Sequence, residues 1–210
     1  EVIEFVLLHY KNQYTEKQKS SLVINSYFEK IEQLNVLKNE YPFIKNLHQA
    51  LELLSNNFRV PQYITKVHGD MTLENLVKSK KDNKIYMIDF LDDFSNGLYT
   101  DLSKIFQDIL GFWSFFDKTN DDLMITQSNL SVRIYKMRKK IISGIKKIDN
   151  NDRILENILY VLLMNYIRII PYIQHNHVYS YIDQKLEETI SLILNDNLTS
   201  GYNEKNNNKM

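Results

Sequence analysis

Residues 67–77 read VHGDMTLENLV, and this stretch decides how the chain is interpreted. A histidine, an aspartate and an asparagine interrupt a strand-like run here, whereas most of the chain is ordinary helix-forming sequence. The segments YITKVHGD, NLVKS and KIYMIDF are short and rich in β-branched and aromatic residues, which favours strands. Because the turn residues KKDN separate the last two, we expect 76–79 and 84–88 to pair as a β-hairpin.

Helical periodicity lies on both sides of this segment, with apolar residues recurring at three- and four-residue spacing. Pro42 is expected in the first turn of the second helix. The predicted helices cover 14–37, 42–58, 101–116, 123–148, 152–173 and 179–194. We therefore expect a mainly α fold with a small β-hairpin insertion, in one domain over 1–198, followed by a polar flexible tail over 199–210.

The composition is that of a globular domain with a substantial core. Of the 210 residues, 43% are hydrophobic and 25% are charged. Basic and acidic residues number 26 each, so the basic excess typical of nucleic-acid-binding proteins is missing, and no nucleic-acid partner is expected. The sequence contains no cysteine, which excludes disulfides and thiolate metal sites and favours a cytoplasmic location.

The most apolar segment, 154–173, is predicted to be a buried helix rather than a membrane span. It carries Glu156, Asn157, Asn165 and Arg168, whereas a membrane-spanning helix would contain fewer polar side chains. The first residues, EVIEFVLLHY, lack the positively charged region and cleavage site of a secretory signal. They begin with glutamate and look like the middle of a helix, so we expect a fragment of a longer protein.

Oxygen-bearing side chains converge in the predicted β segment. Asp70 and Asn75 lie five positions apart in a loop, and Asp89 follows the second strand of the hairpin. Folding the hairpin back brings Asp89 towards Asn75. Amide and carboxylate oxygens suit Mg²⁺, which commonly combines a few protein oxygens with phosphate oxygens. A separate aspartate beside the metal can accept a proton from an attacking hydroxyl group.

Residues 68–75, HGDMTLEN, resemble the H-x-D-x-x-x-x-N catalytic loop shared by protein kinases and the aminoglycoside/choline phosphotransferases. Residues 88–90, IDF, resemble the metal-binding step of the small-molecule branch. Gly69 in place of arginine, and Leu91 in place of glycine, favour that branch over protein kinases. Residues 98–102, LYTDL, resemble the family's helix start, whose aspartate braces the catalytic loop.

This resemblance implies a role for each matching residue. Asp70 would be the catalytic base, and Asn75 and Asp89 would bind Mg²⁺ together with ATP or GTP. His68 would orient the loop backbone, and Asp101 would support it. The chain would then be the helical C-terminal lobe of a kinase-like fold, with the catalytic loop and metal hairpin in 63–104. Its acceptor would be a hydroxyl of a small molecule, such as a sugar, an amino alcohol or an aminoglycoside-like compound.

The chain departs from the family before the catalytic loop. The family's N-terminal lobe contains a β-sheet, a phosphate-covering loop and a lysine that grips the nucleotide phosphates. Here about 60 mostly helical residues precede the loop, and no two of the five glycines are close enough to form a glycine-rich loop. We therefore expect the N-terminal lobe to be missing from this chain, and the chain alone to be weak or inactive.

Several alternatives remain open at this point. The chain could be a non-catalytic scaffold module attached to a sugar-nucleotide or capsule-biosynthesis enzyme. A metal-dependent hydrolase built on His68 and Asp70 would need more histidine ligands than this region offers. Asp92 and Asp93 could assist the metal or bind a cationic substrate, although acidic loop residues are usually solvated. His175 and His177 suggest zinc, but alternate loop residues should point apart and no third ligand is evident.

Overall fold

The computed structural model describes residues 1–20, 22–58, 63–91, 97–115, 123–149, 151 and 153–195. The described chain is mainly helical and carries two small antiparallel sheets. The helices are α1 (Val2–Glu16), α2 (Leu22–Asn35), α3 (Leu37–Glu40), α4 (Leu47–Asn57), α5 (Thr100–Gly111), α6 (Leu123–Ile148), α7 (Ile154–Ile169) and α8 (Asn176–Leu194). The strands are β1 (Gln18–Lys19), β2 (Tyr63–Ile64), β3 (Leu76–Lys78) and β4 (Ile85–Met87). Short 3₁₀ helices cover Leu73–Asn75, Trp113–Phe115 and Ile170–Tyr172.

Helix α7 forms the centre of the core, as the sequence predicted. It packs against α5 and α8, with further contacts to α2 and α4. A helix that is apolar all round needs neighbours on every side, and this arrangement supplies them. The segment Ile154–Tyr172 is long and apolar enough to cross a membrane, with a mean hydropathy of 1.4, but 78% of that apolar stretch is buried inside the structure. The prediction of a buried helix is confirmed.

The predicted β-hairpin is confirmed. Strands β3 and β4 pair antiparallel with Leu76 opposite Met87, and the pairing continues at both ends. The N–H of Ser79 donates to the carbonyl of Lys84, and the N–H of Ile88 donates to the carbonyl of Asn75. The hairpin therefore follows directly from the loop 68–75, and its second strand returns to the end of that loop.

The prediction of one helix over 14–37 is wrong. Helix α1 ends at Glu16 and α2 begins at Leu22, and β1 lies between them. Residues 15–21, TEKQKSS, contain no apolar side chain that could hold a helix against the core. The backbone of 18–19 instead pairs antiparallel with β2, which adds a second small sheet that the sequence did not predict.

The second predicted helix begins later than expected. Pro42 lies in a turn between α3 and α4 rather than in the first turn of a helix, and α4 begins at Leu47. A contact from another part of the chain accounts for the difference. The Asp183 carboxylate on α8 accepts hydrogen bonds from the backbone and side-chain nitrogens of Asn46, at 2.8 and 3.0 Å. These bonds fix the residue that immediately precedes α4.

Candidate active site

A buried carboxylate holds the backbone of the loop 68–75. Asp101 lies in the first turn of α5 with none of its surface exposed. It accepts hydrogen bonds from the backbone N–H groups of His68, at 2.9 and 3.0 Å, and of Gly69, at 3.0 Å. From helix α1, Gln13 Nε2 donates to it at 2.6 Å and His9 Nε2 lies 2.9 Å from it. The start of the loop is therefore tied to two helices.

Gly69 occupies a position that a side chain would disturb. Its φ of +82° lies in the left-handed region, which residues with a Cβ atom rarely adopt. A Cβ at this position would lie 2.0 Å from the carbonyl oxygen of Leu91. The absence of a side chain thus lets the segment after the hairpin pass directly over the loop.

His68 is buried, with 1% of its surface exposed. Its Nδ1 accepts a hydrogen bond of 3.3 Å from the backbone N–H of Asp70, and its ring lies 4.2 Å from the ring of Phe90, centre to centre. Its carbonyl accepts the N–H of Leu91 at 3.0 Å. Nε2 is buried without a hydrogen-bond partner among the described residues. These contacts join the histidine to the loop backbone and to the segment that follows the hairpin.

Asp70 lies between an amide and an ammonium group. The Asn75 side-chain nitrogen donates to its carbonyl oxygen at 2.7 Å and to its Oδ2 at 3.1 Å. The other carboxylate oxygen, Oδ1, lies 3.1 Å from Nζ of Lys104 on α5. The side chain of Asp70 is 27% exposed. The carboxylate is thus fixed in orientation and remains accessible from outside.

Asp89 lies beside the same loop, as the hairpin register predicted. Backbone hydrogen bonds fix the chain on both sides of it. The N–H of Ile88 donates to the carbonyl of Asn75, and the N–H of Leu91 donates to the carbonyl of His68, both at 3.0 Å. Asp89 is exposed and adopts a left-handed φ of 57°. No hydrogen bond joins its carboxylate to another described residue. Backbone strain of this kind clusters at functional sites, so the observation supports a functional hypothesis for Asp89.

Helix α5 presents three polar side chains to the loop. Asp101, Lys104 and Asp108 are spaced by three and four residues, so they share one face of the helix. Asp108 accepts the N–H of Leu73 at 2.5 Å, and both the N–H and the hydroxyl of Ser114, at 2.8 and 2.6 Å. Burial raises the pKa of Asp108, although these hydrogen bonds oppose the shift. One helix therefore contacts the start, the middle and the end of the loop.

Sequence reasoning missed four of these residues: His9, Gln13, Lys104 and Asp108. Each had a detectable signal. His9 and Gln13 lie four residues apart on a helix whose buried face is otherwise Val6 and Tyr10. Lys104 and Asp108 continue the spacing of Asp101 along α5, a helix that is otherwise buried and apolar on that side. A search for polar residues at helical spacing would have found both pairs.

The donor set is compatible with Mg²⁺ only if phosphate or water supplies further ligands. Among the described residues, no group of three or more histidine, aspartate or glutamate side chains could hold a metal ion. Asn75 uses its side-chain nitrogen on Asp70, which leaves its amide oxygen available as a ligand. Asp89 adds an exposed carboxylate on the adjoining segment. Two protein oxygens are a common number for a Mg²⁺ that also binds phosphates.

Two of the predicted candidate residues, Asp92 and Asp93, lie outside the described residues.

The expectation that the His175 and His177 side chains point apart is wrong, because their rings stack with centres 5.7 Å apart at the start of α8. The described part of the chain supplies no third ligand beside them, so a zinc site has no support.

A cavity of about 380 Å³ lies between α2, α5 and α7. Lys104, whose ammonium contacts Asp70, is one of its lining residues. Lys30 from α2 and Arg168 from α7 also line it, together with Asn165 and the exposed Tyr172. The cavity thus connects through Lys104 to the carboxylate that the sequence identified as the candidate base.

In comparisons with models of protein families, with curated proteins and with solved structures, no match to this chain was found. The likeness to the phosphotransferases therefore rests on the residues between 63 and 104 and on the contacts described above.

Proposed function

We propose that the chain is the helical lobe of a small-molecule kinase, which transfers the γ-phosphoryl group of ATP or GTP to a hydroxyl group of a small acceptor. The observation that carries this proposal is the position of the Asp70 carboxylate. It lies between the Asn75 amide and the Lys104 ammonium, on a loop whose backbone is fixed by buried Asp101. A partly exposed carboxylate in a fixed orientation is what a general base for an incoming hydroxyl requires.

Asp70 would act on the acceptor. Its carboxylate takes the proton of the acceptor hydroxyl as the new oxygen–phosphorus bond forms. The bond between the γ-phosphorus and the bridging oxygen breaks, and the nucleoside diphosphate leaves. Asn75 keeps the carboxylate oriented, and Lys104 places a positive charge beside the transferring group. Most of the catalytic effect in such a reaction comes from positioning and charge stabilisation.

Asn75 and Asp89 would hold the metal ion. When bound, Mg²⁺ neutralises negative charge on the nucleotide phosphates. The roles of this chain's residues are then separable, since Asp70 handles the proton while Asn75 and Asp89 supply hard oxygen ligands. A substitution at Asp70 should therefore affect turnover, and substitutions at Asn75 or Asp89 should affect the binding of Mg²⁺ and nucleotide.

An exposed apolar face beside these donors supports the proposal of a second lobe. Val77 and Tyr86 are cross-strand partners on the hairpin and are 42% and 49% exposed, and Ile88 is 41% exposed. Phe90 and Leu91, in the segment that follows the hairpin, are 63% and 56% exposed. Exposed apolar patches commonly mark interaction surfaces. We propose that a nucleotide-gripping N-terminal lobe covers this face, so that nucleotide phosphates meet Asn75 and Asp89 between the lobes.

The same face favours one alternative. A non-catalytic scaffold module attached to a sugar-nucleotide or capsule-biosynthesis enzyme would also use an apolar surface to bind its partner. The alternative does not explain why Asp70, Asn75 and Asp89 converge at the edge of that surface. It predicts that replacing these residues changes neither nucleotide binding nor turnover.

The test is nucleotide consumption by the full-length protein that carries this chain, measured with Mg²⁺ against a panel of sugars and amino alcohols. Acceptor-dependent turnover would establish the kinase and identify its substrate class. Asn75→Ala and Asp89→Ala should weaken Mg²⁺-nucleotide binding, and Glu187→Ala, at an exposed position of α8, is the matched control. If no acceptor supports turnover and no nucleotide binds, the scaffold alternative is favoured.

A further inference from the structure

The cavity that Lys104 lines carries three basic side chains from three different helices. Lys30 belongs to α2, Lys104 to α5 and Arg168 to α7. Among the lining residues that the structure describes, none is acidic. Each of the three basic side chains is partly buried. Their charges are therefore screened less by water and salt than charges on an open surface.

One of the lining residues is a buried polar side chain. Asn165 on α7 lines the cavity and is 1% exposed. Its side-chain nitrogen donates to the hydroxyl of Ser103 at 2.8 Å. Its Oδ1 is buried and has no hydrogen-bond partner among the described residues. An unpaired buried acceptor is costly in a folded protein, and a donor such as a ligand hydroxyl group would satisfy it.

The cavity and the candidate base meet at one residue. Lys104 lines the cavity, and its Nζ lies 3.1 Å from Oδ1 of Asp70. A molecule bound in the cavity therefore lies beside Lys104, whose ammonium is paired with the carboxylate that would receive the proton. Other lining residues are apolar or neutral, including Leu34, Ile169 and Tyr172, which could contact the carbon framework of a ligand.

We propose that the acceptor is a polyhydroxy compound that carries an anionic group, either a phosphate or a carboxylate, which binds Lys30 and Arg168 in this cavity. The inference rests on the proposed function and specifies its substrate class. Arginine is well suited to this task because its planar guanidinium can bind two oxygens of a phosphate or carboxylate at once. The acceptor's hydroxyl groups bind Asn165 and approach Asp70.

This inference changes the expectation drawn from the resemblance. Amino alcohols and aminoglycoside-like compounds carry positive charge at neutral pH. A cationic acceptor would find no acidic side chain among the described lining residues, whereas an anionic one would find Lys30 and Arg168. Within the classes the resemblance allowed, the lining thus favours acidic or phosphorylated sugars and disfavours cationic acceptors.

The test is equilibrium binding to the full chain, by isothermal titration calorimetry or NMR, without nucleotide or Mg²⁺. The probes are glucose 6-phosphate, glucuronate, glucose and choline. The first two carry their negative charge on a phosphate and on a carboxylate, respectively, and the last two provide neutral and cationic references. We expect at least one anionic probe to bind about tenfold or more tightly than glucose, with an affinity that falls as salt concentration rises.

Variants assign that binding to the cavity. Arg168→Gln and Lys30→Gln should each lower the affinity for the anionic probe about tenfold, whereas Arg168→Lys should retain part of that affinity. Lys140→Gln, at an exposed position of α6, should leave it unchanged. Thermal denaturation of each variant establishes that the fold is intact.

The outcomes separate this inference from the proposed function. Equal binding of glucose or choline, anion binding unaffected by Arg168→Gln and Lys30→Gln, or no anion binding at millimolar concentration would each overturn the inference. If a neutral acceptor alone is phosphorylated, the proposed kinase activity is supported and the proposal of an anionic acceptor is overturned. If the anionic probes bind but no acceptor is phosphorylated, the cavity assignment stands and the kinase falls.

Discussion

The ammonium group of Lys104 lies 3.1 Å from Oδ1 of Asp70, and their side chains are 14% and 27% exposed. This ion pair links helix α5 to the loop that carries the candidate base. Because both charges are partly shielded from water, their interaction is stronger than that of an ordinary surface pair. It places a cation where the proposed reaction brings a phosphoryl group towards Asp70.

Lys104→Met should lower turnover by about tenfold or more, because it removes a preorganised positive charge from the position of the transferring group. Met keeps the length and the apolar stem, so the fold should be retained. The measurement is kcat with the acceptor identified by the panel, and Lys140→Met is the control for loss of a lysine elsewhere. An unchanged kcat would show that Lys104 has no part in the reaction.

Asp101→Asn should destabilise the protein by about 2 kcal/mol or more, because the backbone N–H groups of His68 and Gly69 lose a buried charged acceptor. An asparagine amide would also direct its own N–H groups at some of these donors. The free energy of unfolding is measured by denaturant titration. Glu187→Gln, at an exposed position of α8, should change it by less than about 0.5 kcal/mol. Similar values for the two variants would refute the bracing role.

Gly69→Ala should also destabilise the protein, by about 2 kcal/mol or more. The left-handed φ alone costs a non-glycine residue roughly 1 kcal/mol, and the new Cβ would meet the Leu91 carbonyl at 2.0 Å. The loop and the segment after the hairpin must then move apart. Lys81→Ala, in the exposed turn of the same hairpin, should have little effect in the same unfolding experiment. A stable Gly69→Ala variant would contradict the close backbone approach described here.

Asp108 should make stability depend on pH in an unusual direction. Burial raises its pKa above the ordinary value of 3.8, so the folded protein keeps the proton at pH values where the unfolded chain has lost it. Ionisation of Asp108 therefore costs stability as the pH rises through this window, and below 3.8 the cost disappears. Asp108→Asn removes the titration. We expect the variant's free energy of unfolding, relative to the unsubstituted protein, to increase from about pH 3 to pH 7.

Denaturant titrations of both proteins across this pH range check the prediction for Asp108. Any fixed penalty from altered hydrogen bonds to Leu73 and Ser114 shifts the whole difference and leaves its slope unchanged. A relative stability that is constant, or that falls as the pH rises, would contradict the raised pKa.

Local patterns predicted much of the fold. The hairpin was found because its strands are short and β-branched with turn residues between them, and α6 has the predicted bounds because its periodicity is unbroken. The break after Glu16 was missed because it depends on pairing of 18–19 with a strand more than forty residues away. The spacing of apolar residues predicts which face of a helix is buried. It does not predict which distant strand a polar segment will pair with.

The residues of the candidate site likewise fall into those that a local pattern predicts and those that depend on long-range packing. The loop 68–75 and Asp89 could be singled out because their spacing and order lie within one short segment. The contacts of His9 and Gln13 with Asp101 span 92 and 88 residues, and they depend on how α1 packs. Lys30 and Arg168, the other basic residues of the cavity, looked like ordinary polar positions on their helices. Their convergence with Lys104 depends on how the three helices pack.

The most direct test of the account is the effect of Asp70→Asn on acceptor-dependent nucleotide consumption by the full-length protein. Asparagine preserves the shape of the side chain but cannot accept the hydroxyl proton. The account predicts a loss of turnover of about 10²-fold or more, with the fold and the nucleotide affinity nearly unchanged. Turnover that persists in Asp70→Asn would contradict the assignment of the base, as would a loss explained entirely by unfolding.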